Sequence, residues 1–410
     1  MRVVLAGGGS AGHIEPALAL ADALREADKG IHVTCLGTER GLETRLVPQR
    51  GYDLELLPAV PLPRSVTPQL LTVPGRLAGA VHITGKILDR LHADVLVGFG
   101  GYVATPAYLA AKRHHVPIVV HEANPFPGIA NRLGARLTTH VFTGQPDTKL
   151  RGATYLGMPI RRQIADLDRF AVGDKARAYF GLRPDLPVLL VFGGSQGAKS
   201  LNRALAGAVG AIRGAGVQVL HVTGPKNAGD NLAGDGPSSP GAAPYVAVPY
   251  VDRMDLAYAA ADFALCRAGA NTCAELTAVG LPAAYVPLPI GNGEQRLNAL
   301  PIVQRGGGLL VDDAELTADW IKTTLLPVLT NIDQVAGMSE AAAALGRRDA
   351  DRWLAKAVID VVAAERAAAA AGDAGATAGA GSQPPFPAPG GQPSSGGQPS
   401  SGGGRHRQAR

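Results

Sequence analysis

Arg2-Val3-Val4-Leu5-Ala6 runs into Gly7-Gly8-Gly9-Ser10-Ala11-Gly12-His13, and Pro16-Ala17-Leu18-Ala19-Leu20-Ala21 follows at once. A short apolar run, a cluster of glycines and an alanine- and leucine-rich continuation read as strand, tight turn and helix. Glycines let the backbone turn sharply and approach a ligand closely, while the first helical turn leaves N–H groups without partners. Those donors, together with the positive end of the helix dipole, favour a diphosphate or another anion. The spacing does not match G-x-x-x-x-G-K-[ST], and Ser10 and Ala11 interrupt a clean dinucleotide fingerprint. A turn that serves only strand–helix packing accounts for the glycines equally well. His13 tips the balance, because a histidine at a helix start beside a phosphate turn can act on a bound group.

Working outward, strands are expected at 31–37, 93–98, 116–122 and 139–143, with helices at 104–114 and 128–137. Continuous apolar strands alternating with helices indicate a parallel, doubly wound sheet. The pattern then restarts. Leu186-Pro187-Val188-Leu189-Leu190-Val191-Phe192 leads into Gly193-Gly194-Ser195-Gln196-Gly197, and further strands are expected at 217–222, 261–266, 282–287 and 308–311. The expected fold class is α/β, with two Rossmann-like domains spanning 1–160 and 161–340, joined near Gly157–Arg161 and facing a cleft. Residues 341–371 are expected to form a C-terminal helix, part of an alanine-rich run from Gln334 in which Trp353 and Leu354 offer an apolar anchor. The Gly/Pro/Ser/Gln stretch 372–410 is expected to be disordered, since it cannot bury enough surface to offset its ordering entropy.

The length of 410 residues suits two α/β domains, and 46% hydrophobic with 18% charged residues fits a globular chain. No apolar run is long enough to cross a bilayer, and Met1-Arg2 leads directly into the first strand without a signal-peptide pattern. Cys35, Cys266 and Cys273 lack ligand spacing, so neither a disulfide framework nor a zinc site is expected, and a reducing cytoplasmic setting is. The net charge of +5 is too mild to imply nucleic acid, only 5% of residues are aromatic, and no recognisable RNA- or DNA-reading motif appears. The segment Leu62–Leu91 stands apart, with Arg64, Arg76, Lys86 and Arg90 among apolar residues. It reads either as a helix packed on the sheet or as a patch meeting anionic lipid.

Further polar motifs close the predicted strands. Gly98-Phe99-Gly100-Gly101-Tyr102 and the turn holding Ser195 repeat the glycine-rich theme, and several such turns converge on one cleft in a two-domain α/β fold. His121-Glu122-Ala123-Asn124 offers Asn124 to a sugar hydroxyl, while His121 reads equally as a core histidine. In Arg267-Ala268-Gly269-Ala270-Asn271-Thr272-Cys273-Ala274-Glu275, Ala270 opens a helix and Glu275 follows one turn in. Glu275 is either a ribose-diol acceptor or a solvated acid near the dipole's positive end.

Taken in order, these motifs, with Gly157-Met158-Pro159-Ile160-Arg161 and Glu294-Gln295, resemble the MurG family of UDP-N-acetylglucosamine transferases over about residues 1–365. That family acts on undecaprenyl-pyrophosphoryl-MurNAc-pentapeptide in peptidoglycan synthesis. The resemblance implies a GT-B fold, with UDP-GlcNAc mostly on the C-terminal domain and the lipid acceptor mostly on the N-terminal one. It places Ser195 and Ala270 at the donor diphosphate, Glu275 at the ribose, and Val251 and Arg161 at the uracil. Asn124 and Gln295 fall at the GlcNAc, and Ser10, Ala11 and Gly12 complete the donor site. His13 and Tyr102 line the reaction centre. The resemblance also sets residues 62–91 on the cytoplasmic face of the membrane, as a peripheral contact with anionic lipid. Glu294 stands where the family often has a second Gln, and Gly9-Ser10-Ala11 replaces a common Thr-Gly-Gly.

The implied reaction is an inverting displacement, with the C4 hydroxyl of the muramoyl sugar attacking the anomeric carbon as UDP leaves. His13 is expected to be the base. No Asp-x-Asp motif suits a metal, so helix N-termini and Ser195 are expected to stabilise the diphosphate without one, and no cofactor is implied. A UDP-sugar 2-epimerase and a non-catalytic sugar-nucleotide or lipid-binding protein are the rival readings.

Overall fold

A computed structural model describes residues 1–60, 72–194, 197–227, 242–290 and 292–378. Two sheets carry the chain. The first contains β1 (Arg2–Gly7), β2 (His32–Gly37), β3 (Asp53–Leu56), β4 (Val95–Gly100), β5 (Ile118–Glu122), β6 (His140–Thr143) and β7 (Ala153–Tyr155), in the spatial order β3-β2-β1-β4-β5-β6-β7. The second contains β8 (Val188–Phe192), β9 (Gln218–Val222), β10 (Tyr245–Val248), β11 (Phe263–Cys266), β12 (Ala283–Tyr285) and β13 (Gly308–Leu310), ordered β10-β9-β8-β11-β12-β13. Every pairing is parallel. The strand order reverses beside β1 and again beside β8, and the crevice of a doubly wound sheet opens at such switch points. A glycine-rich turn of the sequence follows each of those two strands.

Each central strand is apolar on both faces because helices cover both sides. Val3 and Leu5 of β1 pack with Ile14, Leu18 and Leu24, whereas Val4 and Ala6 face Val81, Leu88, Ala107 and Tyr108. Strand β8 divides in the same way. Leu190 and Phe192 meet Tyr258 and Leu276, and Leu189 and Val191 meet Leu201, Ile212 and Ile321.

Three strands escaped the sequence reading: β3, β7 and β10. Each is an edge or near-edge strand of three or four residues, partly exposed along its length, so it lacks the continuous apolar run that marks the others. The alanine-rich C-terminal run also differs from expectation. It forms two helices, Ile332–Ala343 and Ala350–Ala378, rather than one, and the second passes the anticipated end at 371. Gly346 lies in the break, where a Cβ would come 2.6 Å from the Thr277 carbonyl oxygen. Leu354 is the anchor and Trp353 is not: Leu354 is fully buried, while Trp353 is 58% exposed. With Val358, Val361 and Val362, Leu354 packs against β1 and the first helix, so the chain returns to the first sheet after completing the second. Residues 379–410, the rest of the expected tail, lie outside the described residues, as do 62–71 of the basic segment.

Candidate active site

Strand β1 ends at Gly7, and the first helix spans Ala11–Ala27 with Ser10 at its N-cap in extended conformation. An N-cap serine ordinarily turns its hydroxyl onto the first free N–H groups. Here no such bond forms, and Ser10 Oγ lies 2.9 Å from His13 Nδ1. The His13 ring packs on the next turn, because a Cβ at Gly100 would come 3.2 Å from its Cδ2 and Nε2. Burial lowers the His13 pKa, and the negative charge of Glu43 partly offsets that.

Glu43, which the sequence reading passed over, sits fully buried beneath this turn. Its carboxylate accepts hydrogen bonds from Thr38 N (2.7 Å), Thr38 Oγ1 (3.0 Å) and Gly9 N (3.2 Å). The turn after β4 closes over the same place. Gly101 has φ +83°, and a side chain there would overlap the Gly8 carbonyl, so the two turns fit only through glycine. Tyr102 is 51% exposed and its ring lies against Gly9.

Around β5 the polar groups are mostly occupied with one another. Buried Glu122 accepts from Asn124 N (2.9 Å), Gly128 N (3.0 Å) and Asn131 Nδ2 (2.9 Å), while Tyr108 donates to Asn131 Oδ1 (2.8 Å). His121 is a core histidine. Its Nε2 donates to the Gly157 carbonyl (3.0 Å), and burial pushes its pKa down to about 4.

A cavity of about 230 Å³ opens between the two sheets. Ala11, Gly12, Arg161, Val251, Ala270 and Glu275, all singled out from sequence, line it together. The helix Ala270–Val279 starts against the start of the first helix, and Asn271 Nδ2 donates to the Ala11 carbonyl at 3.2 Å. Two helix N-termini therefore meet at one place. Glu275 is buried, not solvated. Its Oε1 accepts from Arg161 Nη2 (3.0 Å) and Nε (3.3 Å), and its Oε2 from the Tyr258 hydroxyl (2.8 Å). The charge of Glu275 raises the Arg161 pKa despite burial.

Asn124, Gln295, His13 and Tyr102 are not part of the cavity wall. Gln295 opens the helix Glu294–Gln304, and its Oε1 accepts from Leu288 N at 3.0 Å. Ser195 lies outside the described residues, although its neighbour Gly194 lines the cavity. Arg267 is tied to Asp313 and Ser200 and to the carbonyls of Val286 and Pro287. Glu15, Arg45, Tyr250 and Tyr258 line the cavity but were not anticipated. A helical i, i+4 count from Ala11 would have found Glu15. A larger cavity of about 590 Å³ lies at the opposite, N-terminal ends of β5 and β6 and contains none of the expected site residues.

Comparison with known proteins agrees with this architecture. Residues 3–143 match the glycosyltransferase family 28 N-terminal domain, and residues 188–353 match the corresponding C-terminal domain. A UDP-N-acetylglucosamine–N-acetylmuramyl-(pentapeptide) pyrophosphoryl-undecaprenol N-acetylglucosamine transferase of Thermobifida fusca is 66% identical over 368 residues, covering 89% of this chain and 96% of its own. The protein of the same description from Mycolicibacterium smegmatis is 57% identical, covering 89% and 95%. Among solved structures, Acinetobacter baumannii MurG superposes with a TM-score of 0.69 at 26% identity, over 87% of this chain and 98% of that one. The calicheamicin glycosyltransferase CalG4, at 16% identity and a TM-score of 0.61, shares the fold. The chain belongs to the MurG family of N-acetylglucosamine transferases, with the two-domain GT-B architecture that its motif order implied.

Proposed function

We propose that this protein transfers GlcNAc from UDP-GlcNAc to the C4 hydroxyl of MurNAc in undecaprenyl-pyrophosphoryl-MurNAc-pentapeptide, with inversion. The observation that carries the reading is the convergence of Ala11, Gly12, Arg161, Val251, Ala270 and Glu275 on one cavity, in a chain 66% identical to a transferase of that description. In this reading residues 161–340 take the donor and residues 1–160 the acceptor. The ribose diol donates to Glu275, Val251 and Arg161 flank the uracil, and the diphosphate lies against the N–H groups at Ala11, Gly12 and Ala270 and beside Ser195. Asn124 and Gln295 contact the sugar, and Tyr102 lines the reaction centre.

His13 acts as base through Nε2. Its Nδ1 then carries the hydrogen, which Ser10 Oγ accepts across the 2.9 Å contact, so the serine selects the productive tautomer. The lowered pKa keeps the ring neutral near pH 7, as a base must be. The C4 hydroxyl gives its proton to Nε2, its oxygen bonds to the anomeric carbon, and the bond to the phosphate oxygen breaks with its electron pair leaving on UDP. Amide donors already in place take up the charge that develops there.

The acceptor's lipid brings the protein to the cytoplasmic face of the membrane. The helix Val73–Leu91 buries Val81, Ile87 and Leu88 against the sheet and leaves Arg76, Ile83 and Lys86 exposed. Those exposed groups support an anionic-lipid contact by the 62–91 segment. No described helix is long and apolar enough to cross a bilayer. The deciding experiment incubates the protein with UDP-GlcNAc and a soluble lipid-acceptor analogue and follows UDP and disaccharide together. Equal yields support transfer, whereas UDP release without acceptor, or binding without release, refutes it.

A further inference from the structure

Glu15 has no task in the reaction as described. It stands one turn after Ala11 on the first helix, reaching the cavity from the side of the first sheet, whereas Glu275 reaches it from the second. Glu15 Oε2 is buried without a hydrogen-bond partner. The cations nearest to it are Arg50, with Nη1 at 3.8 Å, and Arg161, with Nε at 3.9 Å. A buried carboxylate oxygen left without a donor is costly unless another state of the protein supplies one.

Glu275 shows the opposite condition. A carboxylate offers about four lone-pair directions. Arg161 occupies two of them at Oε1 through Nη2 and Nε, and Tyr258 occupies one at Oε2. A ribose diol brings two donors, so one of the arginine's bonds must leave before both hydroxyls can be received. A guanidinium leaving its carboxylate inside a cavity needs a second anion to avoid standing uncompensated. Glu15 is that anion, and Arg161 Nε needs to move only about 1 Å toward it to reach charge-assisted hydrogen-bond distance.

We propose that Glu15 is the receiving carboxylate of an arginine relay: when a nucleoside diphosphate binds, Arg161 turns from Glu275 to Glu15 and leaves Glu275 to the ribose diol. Glu15 is thus a positioning residue for donor recognition, acting through Arg161. The inference rests on the reading that Glu275 takes the diol.

The test measures calorimetric affinities of the full chain for UDP and for 2′,3′-dideoxy-UDP. The wild type is expected to prefer UDP by at least about 10-fold, from two hydrogen bonds to a charged acceptor. In Glu15→Gln, Arg161 stays on Glu275 and leaves one lone-pair direction open, so the preference for UDP falls to the roughly 3-fold that a single hydrogen bond gives, while the affinity for the dideoxy compound is unchanged. Unchanged dideoxy-UDP affinity separates this result from general damage to the site. In the double variant Glu15→Gln/Arg161→Met nothing occupies Glu275 Oε1, and the preference for UDP returns. A full preference retained in Glu15→Gln overturns the relay while leaving the ribose reading intact, and so does a ratio that stays at the Glu15→Gln value in the double variant. A wild type that does not distinguish the two nucleotides overturns the ribose reading, and the relay with it. Glu15→Asp, which keeps the charge but shortens the reach, is expected to give an intermediate ratio; a ratio as low as that of Glu15→Gln counts against the charge argument.

Discussion

Replacing Glu43 by Gln tests whether the glycine turn and His13 are tuned from beneath. The carboxylate divides its oxygens, Oε1 serving Thr38 N and Oγ1 and Oε2 serving Gly9 N. An amide has one acceptor oxygen, so whichever way it turns, its NH₂ confronts an N–H donor, at buried Thr38 or at exposed Gly9. That mismatch costs up to about 2 kcal/mol, the penalty for one buried donor left unsatisfied. If the amide faces Thr38 through its oxygen, Gly9 is pushed away from its present position. Misplacing a catalytic turn by about 1 Å is enough to lower kcat/KM by roughly 100-fold. Loss of the charge has a separate effect. Glu43 raises the His13 pKa, so removing it lets burial depress that pKa further, and the acidic limb of the kcat/KM profile moves to lower pH. The assay is the pH dependence of UDP release with a soluble acceptor, alongside urea unfolding at pH 7. An acidic limb that stays in place while stability falls by the stated amount would show that His13 is not the titrating base, or that Glu43 does not act on it.

His13→Ala should lower kcat by about 100-fold or more, and near-normal turnover would remove it from the mechanism. His121 and His221 are both buried with pKa values depressed to about 4, so each binds its proton more readily unfolded than folded. Stability is therefore full above about pH 6.5 and falls as the pH drops toward 4. From pH 7 to pH 5 urea unfolding should register a loss of about 2 kcal/mol per histidine, and a flat profile would contradict the assignment. Leu354→Ala should cost about 2–5 kcal/mol in the same assay by opening a void against β1, whereas Trp353→Ala on the exposed side should cost under about 0.5 kcal/mol.

The sequence reading succeeded where burial on two faces leaves a one-dimensional trace. Val3–Ala6 and Val188–Phe192 are apolar throughout because helices cover both sides of the strand, and the glycines that end them mark the two switch points. Edge strand β3, reading Asp53-Leu54-Glu55-Leu56, is paired on one side only, and nothing in its composition separates it from a loop. Trp353 misled for a related reason: it precedes the buried Leu354, and hydrophobicity alone does not say which of two neighbours faces the sheet. Glu15 was reachable only by counting one helical turn on from Ala11, and Glu43 not at all, because their significance depends on tertiary partners. One meets Arg161 from 146 positions further along the chain, and the other meets a backbone N–H 34 positions earlier.

Those two glutamates also bear on how a cavity lined by acids could accept a diphosphate. Its charged lining consists of Glu15, Arg45, Arg161 and Glu275, two negative and two positive, so the side chains supply no net attraction for an anion. Arg161 is engaged by Glu275, and the Arg45 guanidinium lies over the Tyr250 ring, 5.4 Å from its centroid. The uncompensated positive potential therefore comes from the backbone, at the N-terminal turns of Ala11–Ala27 and Ala270–Val279 where they meet through Asn271. Glu43 occupies the Gly9 N–H directly below, orienting the turn while leaving the amides of Ala11 and Gly12 to whatever binds above. In the proposed reading the acids fix the shape of the turn and receive the ribose and the arginine, and the amides hold the phosphates. That division is why substitution of Glu43 or Glu15 should change geometry and discrimination rather than abolish the attraction for phosphate itself.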